Sequence, residues 1–134
     1  TLHHMVSIGS GQAIKLVNNY FAGVEMVALS EGMLLSDSMG LSRQKVAEVL
    51  HSAATGMSPI MKLVINNLAT HTFPLIFSLA NMRKDISLAI KEVAGNNLPM
   101  MRLTKETFDQ GVTAGLGNEV LSAIIKIIEK KENA

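Results

Sequence analysis

Lys15, Asn18 and Asn19 stand three and four positions apart in GSGQAIKLVNN, residues 9–19. Positions i, i+3 and i+4 share one face of a helix, so one ammonium and two carboxamides face a common point. An otherwise apolar helix carries a cost for such a cluster. At an exposed helix start the three groups are merely solvated, and spacing alone favours that state. In a cleft, the lysine becomes a candidate acid/base. Burial lowers a lysine pKa toward the range where it accepts and returns a proton near neutrality. The amides then orient a substrate hydroxyl or carboxylate. A second polar stretch, Phe77 to Asp85 (FSLANMRKD), sets Arg83-Lys84 before Asp85. Taken alone it is a charged helix face, with a structural ion pair as the default.

Other constellations exclude more than they offer. MVSIGSGQA, residues 5–13, imitates the start of a dinucleotide-binding turn, but Ile14 stands where the fingerprint wants Gly or Ala. No Lys-Ser or Lys-Thr follows at phosphate-loop spacing. Glu25 and Glu31 are six apart and project about 120° from each other on a helix. That is poor geometry for a carboxylate pair, so helix-packing hydrogen bonds are expected of them. His51 and His71 have no partner at metal-ligand spacing, and no metal site is expected. The nine methionines are gap-filling core or interface residues, and the absence of cysteine removes thiolate chemistry and disulfides.

The elements that must position Lys15 follow from the rest of the chain. Its 134 residues suit one domain, 48% of them apolar and 17% charged, below the usual ~25%. Such a chain buries more than its own core and is expected to be half of a larger protein or a subunit. A net charge of +1 argues against nucleic acid. The most apolar stretch, Tyr20 to Leu35, is interrupted by Glu25 and Glu31, so no membrane span is expected. A cysteine-free chain fits the cytoplasm.

From Gln12 to about Leu35 apolar residues sit on nearly every face, which predicts a long, central, buried helix. Gly23 and Gly32 within it point to close helix packing. Ser42 caps a helix through Leu50. Ser58-Pro59 opens one to about Asn67. A linker, Ala69 to Pro74, precedes a fourth helix from Leu75 or Ser78 to Ala94. Pro99 opens a fifth to Val112. Asn118 caps a last one from Glu119 to about Lys130, where Lys126, Lys130 and Lys131 form a solvated end. The fold class is all-α, with about six helices packed around a long N-terminal one. Residues 6–134 form the domain. Residues 1–5, containing His3-His4-Met5, resemble a tag or linker remnant, and the chain reads as a fragment of a longer protein.

These stretches together resemble the C-terminal helical domain of the β-hydroxyacid dehydrogenase family. That family includes 3-hydroxyisobutyrate and tartronate semialdehyde dehydrogenases and is related to 6-phosphogluconate dehydrogenase. GSGQAIKLVNN resembles its Gly-x-Gly-x-x-x-Lys-x-x-Asn signature, Ala28 to Met33 its A-x-x-E-A/G run, and Phe77-x7-Asp85 with Lys84 its F…KD signature. Gly115-x-Gly117 is similar to its G-x-G-x-D segment, except that Asn118 and Glu119 stand where aspartate is often found. The resemblance implies NAD or NADP, bound mainly by an N-terminal Rossmann domain absent from this chain. It implies Lys15 as the catalytic lysine, with Gly11, Asn18 and Asn19 holding a small 3-hydroxy acid. Phe77, Lys84 and Asp85 are then expected on the cofactor side of the cleft. It also implies a homodimer or higher homo-oligomer. The alternative is a non-catalytic helical dimerisation module.

Overall fold

Gly9, at φ 91°, takes the left-handed conformation that glycine adopts without strain and bends the chain into α1, Ser10–Ser38. The computed structural model describes residues 9–130. The remnant expected at 1–5, the first residues of MVSIGSGQA (5–8) and Lys131 lie outside the described residues. Helix α1 is 29 residues long, about 43 Å at 1.5 Å per residue. One face is core: Leu16, Ala22, Met26, Leu29 and Met33 are buried. Ser30 and Ser36 are buried with them, and each hydroxyl donates to a carbonyl of its own helix, Met26 O and Met33 O, both at 2.7 Å.

The elements that follow pack on that face: α2 (Arg43–Ala53), α3 (Pro59–Thr70), α4 (Leu79–Glu92), α5 (Pro99–Thr113) and a 3-10 turn (Leu121–Ile124) running into α6 (Ile125–Ile128). The fold is all-α around a central α1, as the sequence predicts. Full burial of α1 is not found. Because its partners lie to one side, Ile14, Val17, Phe21 and Leu35 remain 50–62% exposed.

Three serine N-caps are in place. Ser42, Ser58 and Ser78 each accept a backbone N–H, from Lys45, Met61 and Asn81 respectively. Glu25 reaches across from α1 to accept the Ser58 hydroxyl at 2.7 Å, the helix-packing bond expected of it. Arg43 ties the end of α1 to the last segment through Asp37 and Glu129, and Glu129 also meets His71. The Arg43 hydrogen bond holds Asp37 below the ordinary carboxylate range, and the two carboxylates raise the proton affinity of the guanidinium. Arg83 pairs with Asp109 of α5 at 2.6 Å. Burial pushes the Asp109 carboxyl up, but hydrogen bonds from Lys105 and Arg83 outweigh it and hold the group below its usual range.

The last segment departs from expectation. Asn118 caps nothing, and residues 117–120 form a turn and a single bridge residue beside the start of α4 instead of a helix. Leu79 N donates to Glu119 O at 2.8 Å, Ala80 N to Gly117 O at 2.9 Å and Leu121 N to Phe77 O at 2.8 Å, and Ser78 and Val120 form an isolated antiparallel bridge. The first N–H groups of any helix lack internal acceptors. Here another chain segment supplies them, and that use prevents Glu119 and Val120 from being helical. The β-branched run that follows has little helix propensity of its own. Lys126 is more than a solvated end: it pairs with Glu119 and lies 4.6 Å from the Phe73 ring centroid.

Of Gly23 and Gly32, the two glycines expected to serve close packing, only Gly23 does so. A Cβ there would stand 2.9 Å from Ile86 Cδ1 and 3.2 Å from Met82 Sδ, whereas at Gly32 nothing lies within 4 Å. Gly111 lies inside α5 for the same reason: its Cβ would meet Leu79 and Ile124 at 3.0–3.2 Å. Gly23→Val should therefore destabilise the chain by about 1–3 kcal/mol through overpacking. Gly32→Ala should stabilise it by about 0.5–1 kcal/mol through helix propensity. Denaturant unfolding of the two variants checks the contrast, and equal effects would refute it.

Candidate functional site

Asn19 lies one turn before Gly23, on the side of α1 that approaches α4. Its carboxamide nitrogen donates to Asp85 Oδ2 at 2.6 Å. Asp85 is 3% exposed. It occupies the core-facing stripe of α4 with Leu79, Met82, Ile86 and Ala89. The next residue, Lys84, is 62% exposed, and its Nζ stands 3.9 Å from Asp85 Oδ1. On α1, Asn18 Nδ2 points to Asn19 Oδ1 at 3.4 Å, the outer limit of a hydrogen bond. Lys15 is exposed one turn before Asn19, on the same side of the helix. The two polar stretches singled out in the sequence thus meet through an Asn19–Asp85 bond.

The remaining candidates stand further out. Gly11 is exposed, one turn before Lys15, with nothing within 4 Å of its Cβ position. Phe77 is half-buried against the core and precedes the cap Ser78, its carbonyl held by Leu121 N. From Leu79 to Asp85 the helix rises about 9 Å, so Phe77 is not part of the Asn19 cluster. The Gly9-x-Gly11 bend opens a helix directly at Ser10.

The cluster sits on a ridge between two grooves. One, of about 310 Å³, runs beside Asn18 and is lined by Phe21, Glu25, Ser58 and Ile60. The other, of about 430 Å³, is mostly apolar, with Leu16, Tyr20, Val93 and Met101 as walls and Gln12 and Glu92 among its polar lining. A larger hollow of about 750 Å³, lined by Glu31, Asp109, Gln110 and Lys130, involves none of the cluster residues. Lys15 lines none of these three and is exposed, so no described element walls it in. No group of three or more His, Asp or Glu residues that could hold a metal occurs among them. No described helix is long and apolar enough to cross a membrane.

The Asn19–Asp85 contact itself is not anticipated by either motif read singly. The signal for it is positional. Asp85 follows Met82 by three and precedes Ala89 by four, which puts a carboxylate inside an apolar stripe.

Residues 9–128 match the family described as NAD-binding of NADP-dependent 3-hydroxyisobutyrate dehydrogenase. Among curated proteins, 2-(hydroxymethyl)glutarate dehydrogenase of Eubacterium barkeri is 30% identical, over 96% of this chain and 44% of that protein. Among solved structures, a 3-hydroxyisobutyrate dehydrogenase from Salmonella typhimurium superposes with a TM-score of 0.79 at 25% identity, over 90% of this chain and 43% of that one. The Mycobacterium tuberculosis 3-hydroxyisobutyrate dehydrogenase with L-serine gives a TM-score of 0.78 at 28% identity, over 92% and 45%. The chain spans less than half the length of the curated relatives it matches.

Proposed function

Because the chain belongs to the NADP-dependent 3-hydroxyisobutyrate dehydrogenase family, we propose that it is the C-terminal helical half of an NAD(P)-dependent oxidoreductase acting on a small 3-hydroxy acid. The observation that supports this most is the Asn19–Asp85 bond that joins α1 to α4, with Asn18 beside Asn19 and Lys15 one turn before it on the same side of α1. In this proposal Lys15 is the acid/base. It accepts the hydroxyl proton as the substrate carbon is oxidised and returns it in the reverse direction. Asn18 and Asn19 hold the substrate's hydroxyl and carboxylate. Gly11, with open space in place of a side chain, lets the substrate approach the α1 backbone.

The family uses a nicotinamide dinucleotide, which when bound supplies the hydride acceptor or donor. The described residues contain no strand–turn–helix unit that would grip one. The cofactor is therefore held mainly by a Rossmann domain of the same protein, N-terminal to this chain. Toward it this chain offers Lys84, whose exposed ammonium suits a phosphate oxygen, with Phe77 on the same side of the cleft and Asp85 buried beneath Lys84. The second domain also supplies the missing wall. Lys15 on its open ridge needs water excluded around it before a proton transfer there is efficient. The cysteine-free sequence suits a cytoplasmic setting.

A homodimer or higher oligomer is part of the proposal. Ile14, Val17, Phe21 and Leu35, each 50–62% exposed along one side of α1, form the kind of apolar stripe that a partner covers. The same stripe favours the second possibility, a non-catalytic dimerisation module of this fold.

Three outcomes are expected. The isolated 134-residue chain should show no NAD(P)H-linked turnover of 3-hydroxy acids in a spectrophotometric assay, and measurable turnover would refute the two-domain requirement. In the full-length enzyme, Lys15→Ala should lower kcat by a factor of ~10² or more, the scale of a lost general acid/base. An unchanged kcat with reduced thermal stability would remove Lys15 from catalysis. Light scattering after size exclusion should give at least a dimer, and a strict monomer at high concentration would count against the oligomer.

A further inference from the structure

We infer that Asp85 is a positioning residue: its buried carboxylate fixes the carboxamide of Asn19, and through it that of Asn18, in one orientation toward the substrate. The inference rests on the dehydrogenase proposal above and assigns Asp85 a place within it.

An ionised carboxylate accepts hydrogen bonds and donates none, so the nitrogen end of the Asn19 amide must face Asp85. The oxygen end then turns toward Asn18 Nδ2, 3.4 Å away. Each amide nitrogen keeps a second N–H for a substrate oxygen, beside the Lys15 ammonium. Without the carboxylate either amide end is free to point either way. Stability does not explain the arrangement. A buried carboxylate is costly unless closely paired, and the cation nearest Asp85 among the described residues is 3.9 Å off, on a side chain that is 62% exposed. A direct cofactor contact explains it poorly too, since a residue 3% exposed has almost no surface to offer a ligand. Gly23 completes the device. A side chain there would press on Ile86 and Met82 and move α4, with Asp85, away from Asn19.

The test is a double-substitution cycle in the full-length enzyme. Asp85→Ala should raise the KM for the hydroxy acid about tenfold or more, the scale of a lost charge-assisted hydrogen bond, and leave the cofactor KM within about twofold. On an Asn19→Ala background the same substitution should add less than about twofold, because the two residues act as one unit. A rise in cofactor KM instead, or two effects that multiply, would overturn the inference. If Asp85→Ala does not fold, Asp85→Asn keeps the shape and one acceptor oxygen and should show a smaller rise in the same constant. An independent arm follows the Asn19 side-chain amide protons by NMR. The short bond should shift one of them strongly downfield, and Asp85→Asn should move it back; no change refutes the contact. Failure of the dehydrogenase proposal looks different: the wild-type enzyme shows no turnover, or Lys15→Ala leaves kcat intact, while the NMR arm still decides the Asn19–Asp85 bond.

Discussion

Where α1 crosses α4 there is no room for a Cβ, and the geometry of the site depends on that closeness. Gly23 lets Ile86 and Met82 come against the α1 backbone. One turn earlier on α1 the same approach brings the Asn19 amide within 2.6 Å of Asp85. A larger residue at position 23 would overpack the core and also separate an amide and a carboxylate that interact only at contact distance. Core packing and site assembly are therefore set by one interhelical spacing.

The structure around that crossing is one-sided. Helix α1 carries the buried stripe Leu16, Ala22, Met26, Leu29 and Met33, and the other helices gather on it. The opposite side keeps Ile14, Val17 and Phe21 in solvent. A chain with a low charged fraction and a positive mean hydropathy of +0.29 has too little polar surface to dress both sides of its longest helix. The low charge share and the exposed stripe are one fact seen at two levels.

Much of this was legible in the sequence because it is local. Serine before a helical run, proline at its first position and glycine past its end each act through backbone bonds within a turn, and Ser42, Ser58-Pro59, Ser78 and Pro99 mark their helices. The spacing of Lys15, Asn18 and Asn19 is likewise local, so their shared side of α1 follows from helical geometry alone. What was not legible is nonlocal. Whether Gly23 or Gly32 meets a neighbour depends on which side α4 takes. The non-helical course of residues 117–120 depends on unsatisfied donors at Leu79 and Ala80, far away in the chain. Asp85 reads as a surface charge until its place in an apolar stripe is weighed against its type. Residue patterns report what a segment does with itself; partners chosen across the fold leave weaker marks.

The acceptors for the first turn of α4 have a consequence for the order of assembly. They belong to residues 117 and 119, so the helix that carries Asp85 cannot complete its own beginning until that later segment has been synthesised. Loop closure over that span is slow compared with forming a helix from neighbours. On the ribosome, α1 through α3 can form and associate while α4 still lacks its N-terminal partners. Nascent chains interrupted before residue 117 would carry Lys15 and both amides on a formed helix, with no fixed carboxylate to orient them.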